Sequence, residues 1–367
     1  MKKDSIFGNL YKLYTEDLGK DDLERLIKNE APEVYSFYLE SVKTKDYQSK
    51  NRFKRVFLFT RDLVVVFLRK LSPIRRIIFS GAFIIFFYSY LIESWFYASG
   101  SFLTMVLLLA FELAGKLSAT SELDMAAKIQ IDTTICIDPV IEGYEIAPYS
   151  KPARVVGGDF LNCYKLKGNK LSTIFLMGDV SGKGLAAALY MVQVHALMSY
   201  LSTAYDDVKS IVKNLDQMLN RIFQAKYFFT ATGLKIDLDK DPGTVEIFRA
   251  GHSPLIIYTQ HNKQAEFLVP GGIGLGLRNS KVFDRTLKTE SIHLKPGDIL
   301  IFFTDGVNES INYLKEEYGT ERLKKIVQSN ADLPAKEILS KILKSIEGFT
   351  GSTPARDDLT LLIVKKL

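Results

Sequence analysis

The chain has 367 residues, 47% of them apolar and 25% charged, with two cysteines. That length allows two ordinary domains, and the composition excludes a disordered chain, a collagen-like fibre and a disulfide-stapled miniprotein. The net charge of +6 is unevenly spread: residues 1–76 hold 17 Lys+Arg and 11 Asp+Glu, whereas the remainder holds 31 of each sign.

Residues 1–72 read as a mostly helical, cytoplasmic region. Asp21–Lys28 and Val34–Val42 show loose spacing of three to four. Phe53–Leu71 mixes apolar and basic residues, which suits a helix on an anionic membrane surface or an ordinary packed helix with a solvated basic edge. Lys2-Lys3 is followed by polar residues, so no signal peptide is expected. There is no nucleic-acid-binding motif, and nucleic acid is not expected as a partner.

Two apolar runs follow. Ile77–Ile92 has no charge, Glu93 interrupts, and Ser94–Phe111 is again uncharged. As helices these runs reach about 24 and 27 Å, just under a bilayer core of about 30 Å. Flanking arginines and interfacial Trp95 and Tyr97 can make up the difference. The expectation is a two-helix transmembrane hairpin over 73–115, contacting the membrane through 77–111 and turning within 93–101, near Glu93 or Ala98–Ser101. Arg69, Lys70, Arg75 and Arg76 before it, and Lys116 after it, put both ends in the cytoplasm. The alternative is a buried hairpin in a soluble domain, but the polar faces such a hairpin needs are missing. Residues 116–135 read as a helical connector, and Leu113, Leu117, Leu123, Ala127 and Ile129 form an imperfect heptad that allows a homodimer.

Residues 136–367 alternate strands with turns and a few helices. Strands are expected at Tyr144–Ser150, Phe160–Leu166, Leu171–Val180, Phe228–Asp237, Thr244–Ala250, Leu255–Tyr258, Ile299–Thr304 and Thr360–Lys365. Helices are expected at Leu185–Leu201, Asp207–Phe223, Leu314–Val327 and Ala335–Ile346. Without a strict βαβ rhythm, this predicts an α+β layered fold.

Four aspartic sites stand at the tips of these strands beside glycine or a turn: Asp159 after Gly157-Gly158, Asp179 before Ser181-Gly182-Lys183-Gly184, Asp305 before Gly306, and Asp357-Asp358 before the last strand. A carboxylate at the end of a buried strand is costly unless its charge is compensated, and glycine lets backbone approach a ligand closely. Any one of them alone reads as a turn or cap residue. Converging together, without a histidine nest, they suit hard divalent cations, Mg²⁺ or Mn²⁺, which can activate water for phosphoester hydrolysis.

Six stretches then carry a family resemblance: Arg154–Phe160 (RVVGGDF), Gly178–Leu189 (GDVSGKGLAAAL), Ala250–Pro254 (AGHSP), Gly271–Leu277 (GGIGLGL), Leu294–Glu309 (LKPGDILIFFTDGVNE) and Arg356–Leu361 (RDDLTL). In this order, over about 144–365, the chain resembles a metal-dependent protein phosphatase (PPM) domain of the SpoIIE/RsbU bacterial type. The resemblance implies a β-sandwich flanked by helices, with two Mn²⁺ or Mg²⁺ ions at one end. It implies Asp159, Asp179, Asp305 and Asp357 as ligands, the Val180 carbonyl completing one site, and Asp358 in a supporting position. It further implies hydrolysis of phosphoserine or phosphothreonine on a regulatory protein of the anti-sigma-factor-antagonist type, without a phosphoenzyme.

One departure is Asn162, where the family usually carries a second acid. With the main ligands present, an active enzyme is favoured over a catalytically silent phosphoprotein-binding relay or a membrane scaffold. Lys183, Arg154 and Arg356 are candidate phosphate contacts, each with the plainer reading of a solvated cation. His252 is expected to structure a turn more than to act as a general acid, and His195 to pack on an apolar helix; His261 and His293 sit in no motif. Cys136 and Cys163 lack metal-type spacing and make no disulfide framework, consistent with a reducing, cytosolic catalytic domain. The expected location is the bacterial cytoplasmic membrane.

Overall fold

The computed structural model describes residues 61, 65, 67–69, 71–134, 139–239 and 241–367. The expectations for 1–60, most of Phe53–Leu71 and Cys136 lie outside the described residues. By its internal contacts the chain divides into Met1–Ser118 and Ala119–Leu367.

In the first unit, α1 (Pro73–Leu91) opens on a proline in its first turn, where a missing N–H costs nothing. The chain reverses at 92–94, with Glu93 in the left-handed region at φ 54° and the Ser94 N–H donating to the Ser89 carbonyl. Next comes α2 (Trp95–Thr134), a single helix of 40 residues. The second apolar run and the connector are therefore one element. No turn forms at Ala98–Ser101, because the hydroxyls of Ser99 and Ser101 donate to the carbonyls of Trp95 and Tyr97, at 2.8 and 2.7 Å. Serine satisfied within the helix does not break it. Arg75 Nη1 lies 2.6 Å from Glu112 Oε2, which puts the start of α1 level with residue 112 of α2. Most of the apolar surface in between is exposed; α1 buries only Ala82 and Ser89.

The second unit is four layers deep. Its strands are β1 (Tyr144–Lys151), β2 (Asp159–Leu166), β3 (Asn169–Val180), β4 (Phe229–Asp237), β5 (Thr244–Ala250), β6 (Leu255–Thr259), β7 (Gln264–Leu268), β8 (Thr289–His293), β9 (Ile299–Phe303) and β10 (Leu359–Lys366). They form two five-stranded sheets, ordered β2-β3-β4-β5-β8 and β1-β10-β9-β6-β7, with antiparallel pairing throughout. On the outer face of the first sheet lie α3 (Leu185–Ala204), α4 (Val208–Ile222) and α5 (Ser280–Thr286). After β9 comes the short α6 (Asp305–Asn308), and α7 (Thr320–Asn330) and α8 (Ala335–Thr350) cover the second sheet.

Period-two alternation builds three cores. Phe160, Ile174 and Leu176 face the α3–α4 layer. Leu161, Phe175, Met177, Leu300, Phe302 and Leu362 meet between the sheets. Ile301, Phe303, Leu361 and Ile363 pack against α7 and α8. Although α3 is as apolar as a membrane span, it buries Ala187, Met191, Val194, Met198 and Leu201, so it is a core helix.

The expected helix Leu314–Val327 begins six residues later than predicted. Asn312 Oδ1 accepts the amides of Leu314 and Glu316, and Lys315 takes φ 65°, closing a turn that competes with the helix. Cys163, on β2, is disulfide-bonded, which departs from the reduced state expected of it.

Candidate active site

Alternation also decides where the acids go. Asp159 and Asp179 are register partners on β2 and β3, and both share the parity of the residues that point between the sheets. Across from them, Thr304 directly follows β9 and Thr360 lies near the start of β10, on the same inward parity. The Thr304 hydroxyl donates to Asp159 Oδ2 at 2.8 Å; Thr360 also hydrogen-bonds Asp159, and the Thr304 N–H donates to the Thr360 carbonyl at 3.1 Å. The two sheets therefore meet at this end through Asp159.

Burial and mutual repulsion act on these acids. Asp159 is pushed well above the usual carboxylate range, first by burial and then by the Asp179 charge. Asp179 is pushed up to about 8, by burial and by Asp305, Asp357 and Asp358. Asp305, in the first turn of α6, is raised by burial and by Asp357, with the Gly306 amide opposing. Glu309, one turn further on, is raised by burial and then by Asp305. Asp159, Asp179, Asp305, Asp357 and Asp358 thus share one electrostatic neighbourhood, as the sequence predicts.

Their individual contacts differ. Asp358 accepts the amides of Ala153 at 2.7 Å and Gly158 at 2.6 Å, with Asp159 at 3.4 Å, so it holds the 153–159 loop. Asp357 Oδ2 pairs with Lys183 Nζ at 2.5 Å, and Lys183 also donates to the Arg356 carbonyl. With carboxylates engaged in this way, no three His, Cys, Asp or Glu side chains among the described residues are grouped as a ready-made metal cluster.

The glycines explain how the acids come so close. A Cβ on Gly158 would lie 2.9 Å from Asp179 Oδ1 and 3.2 Å from the Val180 carbonyl oxygen. Those two oxygens therefore converge on one spot, a cradle that any side chain at 158 would fill. A Cβ on Gly157 would strike the Asp358 carboxylate, and one on Gly306 the Asp358 carbonyl. Here glycine makes room for the aspartates themselves.

Arg154, Lys183 and Arg356 line the cleft beside Asp179, Asp357 and Asp358, and both arginines are exposed. Asn162 points the other way, towards α3, its Nδ2 3.2 Å from His195 Nδ1. His195 also meets the Tyr164 hydroxyl at 2.9 Å, in keeping with a packed histidine. His293 pairs with Asp241 far along the chain.

Sequence reasoning missed Gln130. Near the end of α2, it is buried; its Nε2 donates to the Gly157 carbonyl at 2.6 Å, and its Oε1 accepts the Gly157 N–H at 3.2 Å. Thr304 and Thr360 were missed as well. Their one legible signal is position: Thr304 directly precedes Asp305, and Thr360 lies two residues after Asp358.

A buried, mutually repelling set of carboxylates fed by a main-chain carbonyl fits a hard divalent cation, whose charge removes the repulsion. Two antiparallel sheets between helices, with this acidic end, make a PP2C-like fold. The same fold is found in the SiaA-PP2C domain of Pseudomonas aeruginosa, with a TM-score of 0.56 at 20% identity over 69% of this chain and 99% of that one. A structure of the RsbU and RsbW domains of a Mycobacterium tuberculosis protein matches with a TM-score of 0.53 at 25% identity, covering 62% of this chain and 61% of that one. The profile of the family described as Stage II sporulation protein E (SpoIIE) matches residues 170–366, and the chain belongs to that family. Among curated relatives, it is 28% identical to phosphoserine phosphatase RsbU of Bacillus subtilis, over 67% of this chain and 70% of RsbU. It is 24% identical to phosphoserine phosphatase RsbP of the same organism, over 68% of this chain and 59% of RsbP. The chain is a serine/threonine protein phosphatase of this family.

Proposed function

We propose that this phosphatase is metal-dependent, acts on a phosphorylated regulatory protein and works from the inner face of the cytoplasmic membrane. The observation that carries the metal dependence is the convergence of Asp179 Oδ1 and the Val180 carbonyl oxygen on one spot beside Gly158, with Asp159, Asp305 and Asp357 close enough to repel one another through Asp179. Asp159, Asp179, the Val180 carbonyl, Asp305 and Asp357 would hold two Mn²⁺ or Mg²⁺ ions. When bound, such ions activate water for attack on phosphorus and neutralise the phosphoryl oxygens.

The chain's own groups do the rest. Asp358 and Gln130 hold the Gly157-Gly158 loop so that Asp159 faces Asp179. Arg154, Arg356 and Lys183 surround the mouth of the cleft, where cationic charge steers and orients a phosphate dianion. Among the described residues, no cysteine and no serine–histidine pair stands at the aspartates. The substrate class, a phosphoserine or phosphothreonine protein of the anti-sigma-factor-antagonist type, rests on the family resemblance and on the two relatives named as phosphoserine phosphatases.

The membrane tether rests on α1 and the Trp95–Gly115 part of α2, whose mean hydropathies are 1.4 and 1.6. Their 19 and 21 residues reach about 28 and 31 Å, enough for a bilayer core. The Arg75–Glu112 pair aligns their ends, and Trp95 and Tyr97 sit at the reversal.

The test is phosphate release by the full chain from a phosphoserine protein or peptide with Mn²⁺ or Mg²⁺. Release that stops with chelator and in Asp179→Asn supports the reading. No release with either cation overturns it.

A further inference from the structure

His252 is buried at the turn after β5, in neither the metal cradle nor the cleft lining. That turn is tightly built. Gly251 takes φ +70°, in close approach to Gly274. Arg249 Nη1 donates to the His252 carbonyl at 2.7 Å, and Arg249 Nε to the Pro270 carbonyl at 3.0 Å. The backbone at 252 is thus clamped, and the ring is delivered between the sheets.

On one side of the ring, Nδ1 lies 3.0 Å from the Thr230 hydroxyl. Thr230, on β4, is the register partner of Asp179 on β3, and its hydroxyl also reaches the Asp179 carbonyl at 3.5 Å. On the other side the ring faces the Phe303 main-chain carbonyl. Phe303 is the last residue of β9, directly before Thr304, which holds Asp159, and Asp305. Nε2 is directed at that carbonyl without full hydrogen-bond geometry, and it lies buried between the strands that deliver the acids. Leaving such an atom unpaired is costly.

We propose that His252 is a positioning residue that sets the spacing between the Asp179 strand and the Phe303–Asp305 strand end, and thereby the cation affinity of the aspartate cradle. A neutral imidazole can accept from Thr230 at one nitrogen and donate towards Phe303 at the other, which couples one sheet to the other beneath the site. Burial keeps the ring neutral, with its pKa lowered to about 4. The inference rests on the metal-dependent reading above, and its test separates the two.

Mn²⁺ binding to the full chain is followed by the electron paramagnetic resonance signal of the free ion, alongside thermal unfolding in chelator. His252→Ala is expected to weaken Mn²⁺ binding about tenfold, in the range of groups that orient ligands from behind. His252→Gln, which keeps a donor near Phe303, should recover part of that affinity. Tyr318→Phe, which removes a buried bond to Ser345 on the far side of the second sheet, controls for loss of stability alone. If the wild-type chain binds no Mn²⁺, the metal-dependent reading fails. If it binds Mn²⁺ and both His252 variants bind it equally well, or if Tyr318→Phe weakens binding as much as His252→Ala, the positioning role is overturned.

Discussion

The two regions of the molecule invert the ordinary partition of residues in opposite senses. In α1 and the first part of α2, apolar side chains lie outside: Ile77 is 73% and Phe96 83% exposed. In the sandwich, charge lies inside: Asp159 is only 7% exposed and repelled by its neighbours. Helix α3 shows that hydropathy does not decide the matter. It is apolar enough to cross a bilayer, yet it packs on a sheet and needs none. On the function proposed above, each inversion has its own counterpart: hydrocarbon for α1 and α2, a cation for the acids.

The sharpest test of the charged region is Asp179→Asn, expected to lower phosphate release about a thousandfold, equivalent to losing several kcal/mol of transition-state stabilisation. Asp358→Asn should cost less, about 10–100-fold, because its carboxylate holds backbone amides. Equal losses in the two variants would erase the distinction between ligand and support. In the apolar region, Ile84→Arg with Phe87→Arg puts two charges at mid-span, each costing about 2.5–3.5 kcal/mol to insert on translocon scales. The doubly substituted chain should leave the carbonate-resistant membrane pellet while the wild type stays; recovery of the wild type itself in the soluble fraction would favour a buried hairpin.

Gln130→Ala is expected to lower the unfolding free energy of the full chain by about 1–3 kcal/mol in denaturant titrations, since it strands the buried N–H and C=O of Gly157. The smallest effect concerns pH. Asp179 carries a raised pKa of about 8, so the folded chain binds more protons than the unfolded one and this contribution falls as pH rises through 8. His252, lowered to about 4, acts in the opposite direction, but only up to its unfolded value of 6.5. Calorimetry in chelator between pH 6.5 and 8.5 should therefore show a declining melting temperature, flattened by Asp179→Asn or by Mn²⁺.

Much of the sandwich was legible because strands announce themselves by alternation and by the turn residues between them. The four aspartic tips could be read for the same reason, since a charge ending an apolar run beside glycine contradicts its surroundings. What could not be read was pairing across distance. The Asp159–Asp179 register, the Thr304 hydroxyl on Asp159 and the Gln130 clasp on Gly157 each depend on residues brought together only by the folded chain. Local competition defeated one expectation: Asn312 turned the chain where apolar spacing suggested the start of a helix. Of the two places offered for the reversal between the apolar runs, the chain takes the one at Glu93, while the serines at 99 and 101 bond within their own helix.

The close fit of Gly157 against the Asp358 carboxylate has a consequence for how the site responds to change. Alanine at 157 and a shortened side chain at 358 each remove the same loop support, one by occupying the carboxylate's space and the other by deleting it. Their effects should therefore be strongly non-additive, because groups that share a volume couple. An alanine tolerated at 157 only when 358 is already altered would be the signature of this loop, with the second change adding little to the first.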